Sequence, residues 1–174
     1  MTSTTLTEKG VFASWLYGYE LLLTELNTRQ HLADLDGLAL AVLLVAIVFE
    51  PRPRSLPPKA HRLSKRLAEL CQEPLTRIHQ EETRFHISPK TKGPAFALTA
   101  ALESWMAGAS FHRLTKLCDV DEGEIVRYFR MTVQLLRQLS EAPAGDPALR
   151  QRAEQALRRI NRDVIDAEAQ LRMG

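Results

Sequence analysis

Arginines within residues 122–141 are the side chains whose type and spacing best suit a ligand. Ile125, Phe129, Thr132, Leu136 and Leu139 recur at three- and four-residue intervals, with Val126 and Val133 widening the stripe. That pattern predicts a long amphipathic helix. Arg127, Arg130, Gln134 and Arg137 then share the opposite face with Gln138. Guanidiniums repeated along one helix can follow a phosphate backbone through charge-assisted hydrogen bonds. Composition alone favours a merely solvated polar face. A second basic group, Arg52, Arg54, Lys59, Arg62, Lys65 and Arg66, joins a proline-stiffened stretch to a basic helix. It suits a nucleic acid or an acidic protein. A third group, Arg150, Arg152, Arg158, Arg159 and Arg162, is interleaved with Glu154, Asp163 and Asp166, as expected of helix-stabilising ion pairs. Trp15, Tyr17, Tyr19 and Trp105 are of the types that stack on bases, but aromatics at such spacings more often enter a core.

Catalytic chemistry has no comparable signal. The chain carries no phosphate-binding G-x-x-x-x-G-K-[ST] loop, no G-x-G-x-x-G fingerprint, no G-x-S-x-G elbow and no H-E-x-x-H helix. His31, His61, His79, His86 and His112 lie on separate segments, and only His79 and His86 have the spacing to share a helical face. Asp119, Asp121, Glu122 and Glu124 have no nucleophile or base beside them and read as favourable charge at a helix N-terminus. Cys71 and Cys118 lack metal-ligand spacing and read as reduced thiols of a cytoplasmic protein. By this reading the chain needs no cofactor or metal and is not an enzyme by itself.

The elements that must position these side chains are helical almost throughout. At 174 residues, 45% hydrophobic and 25% charged, the chain can bury a core without staples. Its net charge of +2 confines any anion binding to local clusters. Helices are expected over 7–16, from about 22 to 30, and from a cap at Asp36 to Phe49. Four prolines between 51 and 58 then make a stiff connector. A basic helix over 59–71 follows, and the polar stretch 73–91, with prolines at 74 and 89, holds at most a short helix near 78–85. Pro94 is placed in the first turn of a helix ending at Met106. Gly108 stops that helix, and Ser110 caps a short one over 111–117. After the long helix, Asp146 and Pro147 open a last helix whose apolar positions run from Leu149 through Ile160, Val164 and Ala167 to Leu171. The longest apolar run, 38–49, is too short to span a bilayer, and the first ten residues lack a signal-peptide pattern. The fold class is therefore all-α, a multi-helix bundle. The chain is read as one domain over 1–174, with lobes at 1–90 and 91–174.

Residues 110–131 also outline a helix-turn-helix, which would offer Arg127 and Arg130 to a major groove. A family resemblance changes the weights. Trp105, Gly108, Ser110, Phe111, Glu122, Gly123 and Arg127 reproduce a tryptophan, a Gly-x-Ser-Phe, and an acidic residue before a glycine that opens an arginine-bearing helix. In this order they resemble the DSHCT domain, the C-terminal helical domain of superkiller-type and exosome-associated DExH-box RNA helicases. The resemblance continues through 135–139, 160–165, 6–10, 20–26 and 48–50, and is weakest over 51–93. It implies a domain that packs beside RecA-like motor domains in the same polypeptide and helps to close a channel for single-stranded RNA. A long ratchet-like helix touches the RNA in that family, and here the role would fall on Arg127, Arg130, Gln134 and Arg137. The sequence departs from the family where relatives carry a further basic residue, here Met131, and an acidic pair, here Val133 and Gln134. Two other readings remain open: a stand-alone helical module binding RNA or protein, and a helix-turn-helix regulator.

Overall fold

The centre of the molecule is the helix with the fewest polar residues. In the computed structural model, which describes residues 5–53, 61–143 and 146–169, α3 (Gly37–Val48) buries Ala39 to Ala46 on every side, and Val48 with them. Asp36 starts it by accepting a 2.8 Å hydrogen bond from the Ala39 amide, one of the four N–H groups a helix N-terminus leaves unpaired. An all-apolar helix must be covered all round. Here α4 (Arg62–Arg84), α5 (Thr99–Met106), α7 (Glu122–Glu141) and α8 (Pro147–Ile160) pack against it. Helices α1 (Glu8–Trp15) and α2 (Glu20–Thr28) pack on each other, and α2 on α4. The one-turn α6 (Phe111–Leu114) sits on α5. Helices α7 and α8 form a hairpin across residues 142–146. The described residues are all-helical, with no strand among them.

Three expectations need correction. The basic helix does not stop near residue 71; α4 runs for 23 residues straight through Pro74. A mid-helix proline costs about 3 kcal/mol. Here it occupies a buried stripe of Leu67, Cys71, Pro74 and Ile78 that continues to Glu82, and burying such side chains at about 1.5–3 kcal/mol each outweighs the break. Pro94 does not enter α5, which begins at Thr99. Residues 91–96 form no helix, and the Ala95 amide donates to Ala46 O at 2.7 Å, satisfying a carbonyl in the last turn of α3. The last helix ends at Ile160 and does not continue through Val164 and Ala167. A 3-10 turn (Asp163–Ile165) folds back so that Ile165 is buried against α7. Leu171 lies outside the described residues, as do Arg54 and Lys59 of the basic group.

Candidate nucleic-acid interface

Helix α7 separates its faces as its periodicity requires. Ile125, Phe129, Thr132, Val133, Leu136 and Leu139 are buried. Tyr128 and Leu135, outside the expected stripe, are buried too. Tyr128 lies edge-on to Phe49 at 4.9 Å between ring centroids, and its hydroxyl donates to Glu50 O at 3.4 Å. These contacts pin the first half of α7 to the end of α3. The outer face is a shallow, open groove lined by Gly123, Val126, Arg127, Arg130, Met131 and Gln134.

The four polar residues expected to act together are divided. Arg127 and Gln134 are exposed, and Arg127 makes no ion pair among the described residues, its guanidinium lying 5.2 Å from the Tyr128 ring centroid. Arg130 is half-buried. It donates to Val164 O at 2.7 Å and to Ile165 O at 3.3 Å, fastening the 3-10 turn to α7. Arg137 pairs with Glu168 at 3.1 Å, so it too is turned toward the segment after α8. An amphipathic wheel separates inward from outward, but it does not reveal which outward side chains a returning segment will claim.

The second basic group is also divided. Arg52 bridges Asp121 at 2.6 Å and Glu124 at 2.9 Å, joining the connector after α3 to the start of α7. Asp121 occupies the N-cap position without a capping hydrogen bond, its carboxylate taken up by Arg52. Those hydrogen bonds and charges, Asp121 first, hold the Arg52 pKa above its ordinary value. Arg62, Lys65 and Arg66 are exposed along the first two turns of α4. Beyond the end of α3, Lys92 donates to Glu50 at 2.8 Å. This bond and charge hold the Glu50 carboxyl below its ordinary range, and the Arg127 charge lowers it further.

The third basic group serves a purpose that its mixed charges concealed. Arg162 lies 3.5 Å from the Trp105 ring centroid and donates to Trp105 O at 2.8 Å and Ala109 O at 2.7 Å. Arg159 donates twice to Met106 O. Both arginines therefore grip the C-terminal end of α5, whose unpaired carbonyls carry partial negative charge. Trp105 is fully buried, donating from Nε1 to Ile160 O at 2.9 Å and meeting Phe111 edge-on at 6.1 Å. Gly108, at φ +97°, supplies the left-handed residue that closes α5: its amide bonds Trp105 O and the Ala109 amide bonds Ser104 O. The tryptophan and Gly-x-Ser-Phe signature is thus a clamped corner, with α6 starting at Phe111, and it delivers the chain to the start of α7.

Elsewhere, His79 Nε2 lies 2.8 Å from Thr91 O, and His86 holds a left-handed turn at φ +54°. Among the described residues no three His, Cys, Asp or Glu side chains are grouped as metal ligands. Buried Glu82 was not anticipated. Its Oε1 accepts from the Thr91 amide at 2.9 Å and the Thr91 hydroxyl at 2.6 Å, holding the loop after α4. Burial raises its pKa, but the Thr91 hydrogen bonds outweigh this and the net shift is downward. Among the described residues no helix is long and apolar enough to cross a membrane.

An all-helical chain with a clamped tryptophan corner leading into a long arginine-bearing helix defines a class, and comparison with known proteins gives the class its family. Residues 3–168 match the family described as the DSHCT (NUC185) domain, and the chain belongs to it. It is 29% identical over 154 residues to the human exosome RNA helicase MTR4, an alignment covering 85% of this chain and 15% of that protein. It is likewise 29% identical over 161 residues to the ATP-dependent RNA helicase mtr4 of Schizosaccharomyces pombe, covering 85% of this chain and 14% of the relative. The antiviral helicase SKI2 of Saccharomyces cerevisiae is 25% identical over 164 residues, covering 86% and 12%. The chain thus spans about one-seventh of the length of these relatives.

Proposed function

We propose that this chain works as one domain of an ATP-dependent DExH-box RNA helicase, packing beside RecA-like motor domains of the same polypeptide in the cytoplasm and lining their RNA channel with α7. The observation that carries the proposal is the division of α7. Its inner face is locked to α3 and α8, while its outer groove offers the exposed Arg127 and Gln134. A guanidinium that is exposed in a shallow groove, with no ion pair among the described residues, can hold a phosphate without first breaking a salt bridge there. The names of the relatives, two RNA helicases and an antiviral helicase, agree with this. The reading as one domain is supported by α3, which packs on α4 from one half of the chain and on α5, α7 and α8 from the other. Arg130 and Arg137 act mainly as braces, and Arg62, Lys65 and Arg66 form a subsidiary basic surface. A helix-turn-helix reading is disfavoured because α6, its first helix, is a single turn.

The test is the double substitution Arg127→Ala with Gln134→Ala in the protein that carries this chain. Arg130 is left intact because its loss would release the 3-10 turn and confuse binding with folding. Losing one charged and one neutral phosphate contact is expected to weaken single-stranded RNA binding about tenfold or more and to lower RNA-stimulated ATP hydrolysis. Native-like affinity and ATPase, with helicity confirmed by circular dichroism, would sink the proposal. An immunoblot of the native gene product distinguishes a motor in cis, which requires a band several times larger than 19.7 kDa, from a module acting on a motor in trans.

A further inference from the structure

The α1–α2 corner holds one aromatic side chain far outside the core. Leu16 is buried and Tyr19 is half-buried, yet Tyr17 between them is 88% exposed. Exposing so much aromatic surface forgoes the burial available to its neighbours. The ring is nevertheless not on a loose loop. Leu16 anchors the residue before it, and Gly18, at φ +90°, makes the turn that brings Tyr19 back. The Tyr17 amide donates to Gln138 Oε1 at 3.4 Å, so the backbone that carries the ring rests against α7.

Gln138 fixes where on α7 this happens. Residues seven and eleven positions apart fall within about 20° of one another on a helix, so Arg127, Gln134 and Gln138 form one line along the outer face. From Arg127 to Gln138 the line rises roughly 17 Å at 1.5 Å per residue. One end carries an exposed guanidinium, the middle an exposed amide, and the other end meets the corner that bears Tyr17. A cation and a flat aromatic face at the two ends of one helix line are the two components of single-strand recognition: charge for the phosphates and a stacking surface for a base. Trp105 cannot serve, being buried and covered by Arg162.

We infer that Tyr17 is a base-stacking platform at the far end of the α7 track, taking one unpaired nucleobase of a single strand whose phosphates are held at Arg127. The inference rests on the RNA-facing role proposed for α7 and adds to it a contact from a different helix pair. Stacking tolerates any base, so the platform adds affinity without adding sequence preference. It also contributes little to salt dependence, because no counterion is released when a base leaves water for a ring.

The experiment is fluorescence anisotropy of labelled oligouridylate, and of the same oligomer with abasic sites, on the full protein and its variants. Tyr17→Ala is expected to weaken oligouridylate binding about tenfold with the salt slope unchanged, and Tyr17→Phe to bind as the native protein does. The abasic oligomer should bind native protein and Tyr17→Ala alike. Arg127→Ala should reduce the salt slope by about one phosphate contact. Native affinity in Tyr17→Ala beside weakened Arg127→Ala overturns the stacking platform and leaves the role of α7 standing. Equal losses in Tyr17→Phe and Tyr17→Ala overturn it as well, since they would assign the effect to the hydroxyl. No RNA binding by the native protein overturns both.

Discussion

At the scale of single residues, Arg162 is the side chain whose importance its surroundings in the sequence most conceal. Placed among acidic neighbours just past α8, it reaches the closing turn of α5, where it covers the Trp105 ring. Arg162→Met keeps much of the stem but removes two charge-assisted hydrogen bonds, taking that donor from Ala109 O and leaving Trp105 O with the Gly108 amide. A loss of about 2–3 kcal/mol is expected, a fall in Tm of several degrees by thermal denaturation. Loss below about half a kcal/mol would mean that solvent replaces the guanidinium without penalty. Cys71 gives a second check. Burial pushes its thiol up to about 12, so in the native state the reactive thiolate is scarce and shielded. Ellman's reagent should leave Cys71 unmodified until denaturant is added, while the half-buried Cys118 reacts first. Rapid native-state labelling of both would show that the α3–α4 packing opens readily.

At the scale of elements, helix endings set how the chain reverses. Helices α2 and α4 end as α5 does, with a left-handed residue whose amide and whose successor's amide return to the last turn. In α5 that residue is Gly108, but in α2 it is Gln30 at φ +64° and in α4 it is His86 at φ +54°. A residue with a Cβ there costs about 1 kcal/mol relative to glycine. His86→Gly and Gln30→Gly should therefore each raise stability by about 0.5–1 kcal/mol, read as a higher denaturant midpoint with an unchanged slope. Destabilisation instead would place the side chain's own contacts above the strain. This also explains how far helix boundaries were legible. Asp36, Gly108 and the Asp146–Pro147 pair announce their ends because the chemistry is in the residue type. The continuation of α4 through Pro74 and the early stop at Ile160 were hidden because distant packing decides them.

At the scale of the whole molecule, the all-helical class was readable from periodicity, and the family from an ordered set of short signatures centred on the tryptophan corner. The candidate site was legible only in part. The wheel of α7 placed most of its core correctly, but Val126, expected to widen the buried stripe, is half-buried and lines the outer groove, and the assignment of Arg130 and Arg137 depended on a segment about thirty residues later in the chain. Contacts of such separation leave no periodic mark. The same holds for Arg52, whose carboxylate partners lie in a segment first read as a helix N-terminus satisfied by its own charge.

The bracing of α7 has a mechanical side. The helix is held along its length by α3 and α8, at its start by Arg52, and along its outer flank by the carbonyls of Val164 and Ile165. A pull on Arg127 along the helix axis would be spread as shear over these attachments, none of which would have to rupture alone. Helix α7 would move with the rest of the chain as a stiff unit, so any stroke it makes against a strand has to originate outside it.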